Sequence, residues 1–107
     1  MKFEVITSRR AKRDIFRVLD FLAQDSATRG ERWLAGIERA IQLLESLPER
    51  YSIAVELSDP PRVVREFLHG KRGMQYRIFY EVVGNRVHVK HIRHASREQP
   101  TPEELSD

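Results

Sequence analysis

Apolar positions in the first half of the chain recur at the spacing of amphipathic helices. A short strand is predicted at Lys2–Thr7, ahead of the first helical stripe. A helix is predicted over residues 9–24, because its apolar residues share one face: Ala11, Ile15, Val18, Leu19 and Leu22. A second helix is predicted over residues 28–46, and Pro48 stops it from continuing. Two neighbouring helices, each apolar on one side, are expected to pack as an antiparallel hairpin.

The second half of the chain changes to the two-residue alternation that is typical of strands. Residues 49–61 are predicted to form a loop, and strands are predicted over residues 62–69, 74–83 and 86–94. Gly84-Asn85-Arg86 joins the last two strands and is a hairpin signal. The element order β-α-α-β-β-β predicts an α+β fold. We expect an antiparallel sheet with the N-terminal helical hairpin packed on one face and the other face open.

The alternation also predicts which side chains share a face of the sheet. One face of the central strand should contact the helices, and it carries Tyr76, Ile78, Tyr80 and Val82. The opposite face carries Arg77, Phe79 and Glu81. In the last strand Val87 and Val89 keep one phase, but Ile92 falls in the other. This change predicts a β-bulge, or the end of strand pairing, near His91.

Length and composition narrow the class of protein. The 107 residues predict one domain over residues 1–97, followed by an acidic and flexible tail over residues 98–107. Cysteine is absent, which excludes disulfides and thiolate chemistry and suits a reducing compartment. No apolar run is long enough for a membrane span, and the N-terminus lacks a signal-peptide pattern. We therefore expect a cytoplasmic protein without a membrane partner.

Basic charge is concentrated in the last third of the chain. Lysine and arginine balance aspartate and glutamate over residues 1–61, at ten of each. Residues 62–97 carry nine lysines and arginines against two glutamates, together with all four histidines. The last ten residues carry four acidic side chains and no basic one. Charge of one sign in one region favours nucleic acid or an acidic protein as the partner, although a solvated sheet face is an equally good explanation.

Three segments of the chain resemble the RelE/ParE superfamily, the toxins of bacterial type II toxin–antitoxin pairs, often called plasmid stabilisation proteins. These segments are the strand Tyr76-Arg77-Ile78-Phe79-Tyr80, the helix ending LLESLPE, and the final Ile-Arg-His-Ala-Ser-Arg. The resemblance covers residues 2–97. It implies growth inhibition and a cognate antitoxin that wraps around the toxin. It also implies one of two targets, because one branch cleaves ribosome-bound mRNA and the other poisons DNA gyrase.

An endoribonuclease would need groups that supply positive charge and transfer protons. Arg65, Arg77 and Arg97 could supply the charge, and Arg77 matches the central-strand arginine that is catalytic in the ribonuclease branch. His94, or else His91, is the candidate acid or base. Arg77 could instead simply pair with Glu81 on the same face of the strand. The histidine spacing does not suit a metal site, and no cofactor is expected.

The residues after Arg97 depart from the ribonuclease branch. That branch places a tyrosine or histidine a few residues further on, whereas Glu98–Glu104 contains neither and includes two prolines. The sequence therefore favours a ParE-like toxin that binds DNA gyrase and has no catalytic residues. The alternatives are a RelE-like endoribonuclease using Arg65, Arg77, His94 and Arg97, or an inactive relative that binds only its antitoxin.

Overall fold

The computed structural model describes residues 2–105, which form a mixed sheet with a helical hairpin on one face. In chain order the elements are β1 (Glu4–Thr7), α1 (Arg9–Asp25), α2 (Ala27–Gln42), β2 (Ser52–Ile53), β3 (Arg65–His69), β4 (Tyr76–Val83), β5 (Arg86–His94) and α3 (Pro102–Leu105). Short 3-10 turns lie at Leu43–Glu45, Pro48–Arg50 and Val55–Leu57. Within these described residues no helix combines the length and the apolar character needed to span a bilayer.

Serine side chains start both long helices. The Ser8 hydroxyl accepts the Ala11 N–H at 3.0 Å, and the Ser26 hydroxyl accepts the Arg29 N–H at 3.2 Å. Each bond satisfies a backbone donor that has no partner inside the helix. The predicted hairpin of two amphipathic helices is confirmed, although α2 ends at Gln42 and the chain continues in a 3-10 turn.

The sheet has the strand order β1-β5-β4-β3-β2. The three meander strands pair in the antiparallel sense, but β1 runs parallel to β5, from Glu4 opposite Arg86 to Thr7 opposite Val89. The prediction of a fully antiparallel sheet was therefore wrong. Tight turns fix the direction of consecutive strands, whereas the long helical hairpin leaves the direction of β1 open. The sheet also gains β2 from the segment that was predicted to be a loop.

The main core lies between the helical hairpin and the sheet. The predicted helix-facing residues of β4 are buried there or packed against it, in contact with Ile15, Ile37 and Ile41 from the helices. The phase change in β5 also has the predicted cause. Phe79 pairs with His91 and Tyr80 pairs with Val89, so Lys90 is an extra residue. The β-bulge near His91 is confirmed, and it returns Ile92 to the helix-facing core.

The second face of the sheet is not open, contrary to prediction. Phe79 is fully buried there in a small core with Ala54, Val64 and Leu105. The first two of these partners come from the segment between β2 and β3, and Leu105 comes from the C-terminal tail. Burial of Phe79, in the middle of the outer face, is favourable because it removes apolar surface from water. The segment between β2 and β3 and the C-terminal tail bury it.

Residues 98–105 pack against the sheet, in contrast to the predicted flexible tail. Arg93 donates to the Glu98 carbonyl at 2.8 Å and forms an ion pair with Glu104. Arg62 donates to the Leu105 carbonyl at 3.0 Å. The Glu104 carboxylate and two backbone carbonyls of the tail thus bind arginines of the same chain. Residues 106 and 107 of the predicted tail lie outside the described residues.

Replacing Leu105 with alanine tests whether the tail contributes to stability. Leu105 is only 1% exposed and packs in the small core, so its truncation should lower the free energy of unfolding by about 2 kcal/mol. Urea unfolding measures this change. The matched control is Leu68→Ala, at an exposed position of β3, which should change stability little. Equal effects of the two substitutions would contradict the packed tail.

Candidate functional site

Arg77 lies on the face of the sheet away from the helices, as predicted, but its charge is paired. Its Nη2 is 2.8 Å from Glu66 Oε2 and its Nε is 3.2 Å from Glu66 Oε1. The guanidinium also lies over the Phe79 ring, 4.8 Å from the ring centroid. The predicted partner Glu81 was wrong, because Glu81 pairs with Arg62 at 2.8 Å. The pairing of β3 with β4 brings Glu66 to Arg77. The spacing of residues within β4 alone does not predict the register of that pairing.

Arg93 is an important residue that the sequence analysis missed. It lies directly opposite Arg77 in the pairing of β4 with β5. Its side chain is almost fully buried. Glu104 neutralises its charge in an ion pair, and the Glu98 carbonyl accepts a hydrogen bond from it. The phase change at Ile92 was the available signal, because a bulge before Ile92 also moves Arg93 to the outer face. Two neighbouring arginines on this face are therefore each bound to a carboxylate of the same chain.

Arg65 supports the loop after α2. It donates to the Glu49 carbonyl at 2.9 Å and to the Tyr51 carbonyl at 2.8 Å. It lies opposite Tyr80, whose buried hydroxyl donates to the Pro48 carbonyl. Burial raises the pKa of the Tyr80 hydroxyl to about 12. These contacts hold the loop and the sheet together.

His94 lies at the end of β5, where it pairs with Tyr76 next to the Arg77–Arg93 pair, and Arg97 lies just beyond the strand. The His94 ring packs edge-on against Tyr76, with 5.2 Å between the centroids, so it lies on the helix-facing side. Its Nδ1 is 2.7 Å from the Ser96 hydroxyl. Arg97 follows in the exposed turn. The four candidate catalytic residues are thus divided. Arg77 lies on the outer face, Arg65 and His94 lie on the helix-facing side, and Arg97 lies in the turn after β5.

A cleft of about 470 Å³ lies between α1, the end of β5 and the tail. We call it the arginine cleft. Its principal lining residues are Arg10, Asp14, Arg17, Phe21, His91 and Arg97. Asp14 accepts the Ile92 N–H at 3.0 Å, which satisfies a backbone donor on the part of β5 that β1 does not cover. Four of these residues lie on one face of α1, because they are spaced three or four positions apart: Arg10, Asp14, Arg17 and Phe21.

A second concave surface lies between α1 and α2. This apolar groove has a volume of about 370 Å³, and its apolar walls are Ile15, Phe16, Leu34 and Ile41. Lys12 and Glu38 also line it. Phe16 is 60% exposed, so a large aromatic side chain is available at the groove. Exposed aromatic residues beside a groove are typical of protein-binding surfaces.

Metal-ligand geometry is not found in the part of the chain that the structure describes. Across residues 2–105 no group of three histidine, aspartate or glutamate side chains is placed to hold a metal ion. In β5, His91 and His94 fall on different faces of the sheet.

Glu104 connects the tail to the arginines and has a perturbed pKa. The Thr101 N–H donates to its Oε1 at 2.9 Å, which lowers the pKa of the carboxyl, and Arg93 and His91 lower it further against an opposing effect of burial. Thr101 also caps α3, since its hydroxyl accepts the Glu104 N–H. The charged form of Glu104 is therefore favoured in the folded protein.

A comparison with protein families identifies the class of this chain. The family described as "ParE toxin of type II toxin-antitoxin system, parDE" matches residues 5–99. The chain belongs to this family, and its resemblance to the RelE/ParE superfamily is confirmed. It is therefore a toxin of the type II toxin–antitoxin class, for which an antitoxin partner is implied. No curated protein matches the chain.

The pH dependence of stability tests the role of Glu104. A carboxyl whose pKa is lowered by folding stabilises the protein above its ordinary pKa, and this contribution is lost as pH falls through the folded-state pKa. Glu104→Gln should therefore lower the free energy of unfolding by about 1 kcal/mol at pH 7, and the difference should shrink as pH falls below 4.5 through the lowered folded-state pKa. Urea unfolding across this range measures it. Glu98→Gln, at an exposed carboxylate, is the control, and a loss for Glu104→Gln that stays constant as pH falls would contradict the assignment.

Proposed function

We propose that this toxin inhibits growth by binding DNA gyrase in the cytoplasm, and that a cognate antitoxin neutralises it. The observation that carries the proposal is the match to the ParE family over residues 5–99. The resemblance implies gyrase as the target of the ParE branch. A toxin of this kind needs a rigid scaffold and a binding surface, and it needs no residues for cleaving nucleic acid.

The arrangement of charge supports binding over RNA cleavage. On the outer face of the sheet, Arg77 is bound to Glu66 and Arg93 is bound to Glu104. An arginine already paired with a carboxylate is poorly placed to stabilise a pentavalent phosphorus in a transition state. The endoribonuclease alternative also needs a proton-transfer group near Arg77. His94 lies on the opposite face of the sheet, and His91, on the same face as Arg77, is only 4% exposed and so is shielded from a substrate.

The apolar groove between α1 and α2 supports an antitoxin-binding role. Its apolar walls would accept one side of an amphipathic helix, with Phe16 as the central contact. The net charge of the chain is +3, so an acidic antitoxin segment would be attracted to it. The proposed antitoxin thus combines an apolar stripe with acidic residues beside it.

A supercoiling assay tests gyrase as the target. Purified toxin added to gyrase, ATP and relaxed plasmid should inhibit supercoiling in proportion to toxin concentration, because the toxin would occupy the enzyme. Addition of an equimolar antitoxin should restore supercoiling. Plasmid incubated with toxin alone is the control for nuclease activity. Normal supercoiling at a large molar excess of toxin would contradict gyrase binding.

Two exposed phenylalanines of α1 offer a matched test of the antitoxin site. Phe16 lines the apolar groove at 60% exposure, whereas Phe21 lines the arginine cleft at 67% exposure. Phe16→Ala should weaken antitoxin binding about 30-fold, the loss expected for an aromatic residue at the centre of an interface. Phe21→Ala should change it less than threefold. Calorimetry measures the antitoxin affinity of both variants. A larger loss for Phe21→Ala than for Phe16→Ala would contradict antitoxin binding at the apolar groove.

A further inference from the structure

The arginine cleft contains positive charge that the described residues do not neutralise. Asp14 Oδ2 accepts a hydrogen bond from the Ile92 N–H at 3.0 Å, and Glu104 forms an ion pair with Arg93. Arg17 and Arg97 are exposed, and neither has an ion-pair partner within residues 2–105. The two carboxylates of the cleft are therefore engaged, while two guanidinium groups at its rim are available to a ligand.

A buried histidine forms part of the cleft and has no hydrogen-bond partner. His91 is 4% exposed, and neither of its ring nitrogens makes a hydrogen bond. Its Nδ1 lies 2.9 Å from Asp14 Oδ2, but the geometry is not that of a hydrogen bond. Its Nε2 is 4.0 Å from Glu104 Oε2. Every protonation state of imidazole has an N–H donor, and a buried donor without an acceptor is unusual in a folded protein.

We propose that the arginine cleft binds a phosphate group, carried by a nucleotide or free in solution. Arg17 and Arg97 would donate to the phosphate from the rim, and the His91 ring, which lines the cleft with both nitrogens buried, would turn to donate to it as well. This inference goes beyond gyrase binding and does not depend on it.

The number of donors favours phosphate over the carboxylate of an acidic peptide. One arginine satisfies both oxygens of a carboxylate through a bidentate contact, whereas phosphate has enough oxygens for two arginines and an imidazole. The volume of about 470 Å³ is larger than free phosphate requires. Phe21 is 67% exposed at the wall of the cleft and offers a surface on which a base can stack. A nucleotide is therefore the better fit of the two sources.

Calorimetric titration of the full-length chain tests the proposal at fixed ionic strength. The probes are inorganic phosphate, thymidine 5′-monophosphate and a hexaglutamate peptide. Both phosphate compounds should bind more tightly than the peptide. Arg17→Gln should weaken their binding about tenfold, which is the loss of one charged hydrogen-bond donor. Arg13→Gln removes an equal charge from an exposed position of α1 outside the cleft and should change binding less than twofold.

A second variant distinguishes the two sources of phosphate. If a nucleotide is the ligand, Phe21→Ala should weaken the binding of thymidine monophosphate and leave the binding of inorganic phosphate unchanged. Equal affinities of the two probes, with no effect of Phe21→Ala, would identify free phosphate. In either case the imidazole signals of His91 in nitrogen-15 NMR spectra should shift on binding. The proposal is overturned if phosphate does not bind, if hexaglutamate binds more tightly, if the two arginine variants behave alike, or if the His91 signals stay unchanged.

Discussion

One extra residue in β5 determines which face of the sheet each residue at the end of that strand occupies. Lys90 is the bulge between the Phe79–His91 pair and the Tyr80–Val89 pair. In a regular strand, His91 and Arg93 would continue the phase of Val89 and point into the apolar core beneath the helices. A guanidinium there would be buried without a counter-ion, which is strongly unfavourable. The bulge instead returns Ile92 to that core and moves Arg93 to the outer face.

The position of Arg93 explains the packing of the C-terminal tail. On the outer face Arg93 lies opposite Arg77, and two close cations need carboxylates nearby. Glu66 from β3 supplies one and Glu104 from the tail supplies the other. Binding of Glu104 also brings Leu105 over Phe79, so charge pairing and apolar burial hold the tail together. Removal of one partner from such a pair leaves an unpaired buried charge and destabilises the fold. The two pairs therefore contribute to the stability of the folded protein.

The sequence predicted the features that depend on local periodicity. The two helices, the helix-facing residues of β4 and the bulge near His91 all follow from spacing within one segment. The parallel direction of β1, the partner of Arg77 and the packing of the tail could not be predicted in this way. Each depends on contacts between segments far apart in the chain, as in the ion pair of Arg77 with Glu66. The arginine cleft was missed for the same reason, because it combines α1 with the end of β5.

The pairing of the outer-face arginines supports the proposed binding toxin over a ribonuclease. Primer extension on mRNA translated in a cell-free system, with purified toxin added, measures cleavage at the ribosome directly. With Arg77 and Arg93 held by carboxylates and His94 on the other face, we expect no toxin-dependent stops at any codon. Toxin-dependent stops that disappear with Arg77→Ala would contradict this assignment and establish the outer face as a catalytic site.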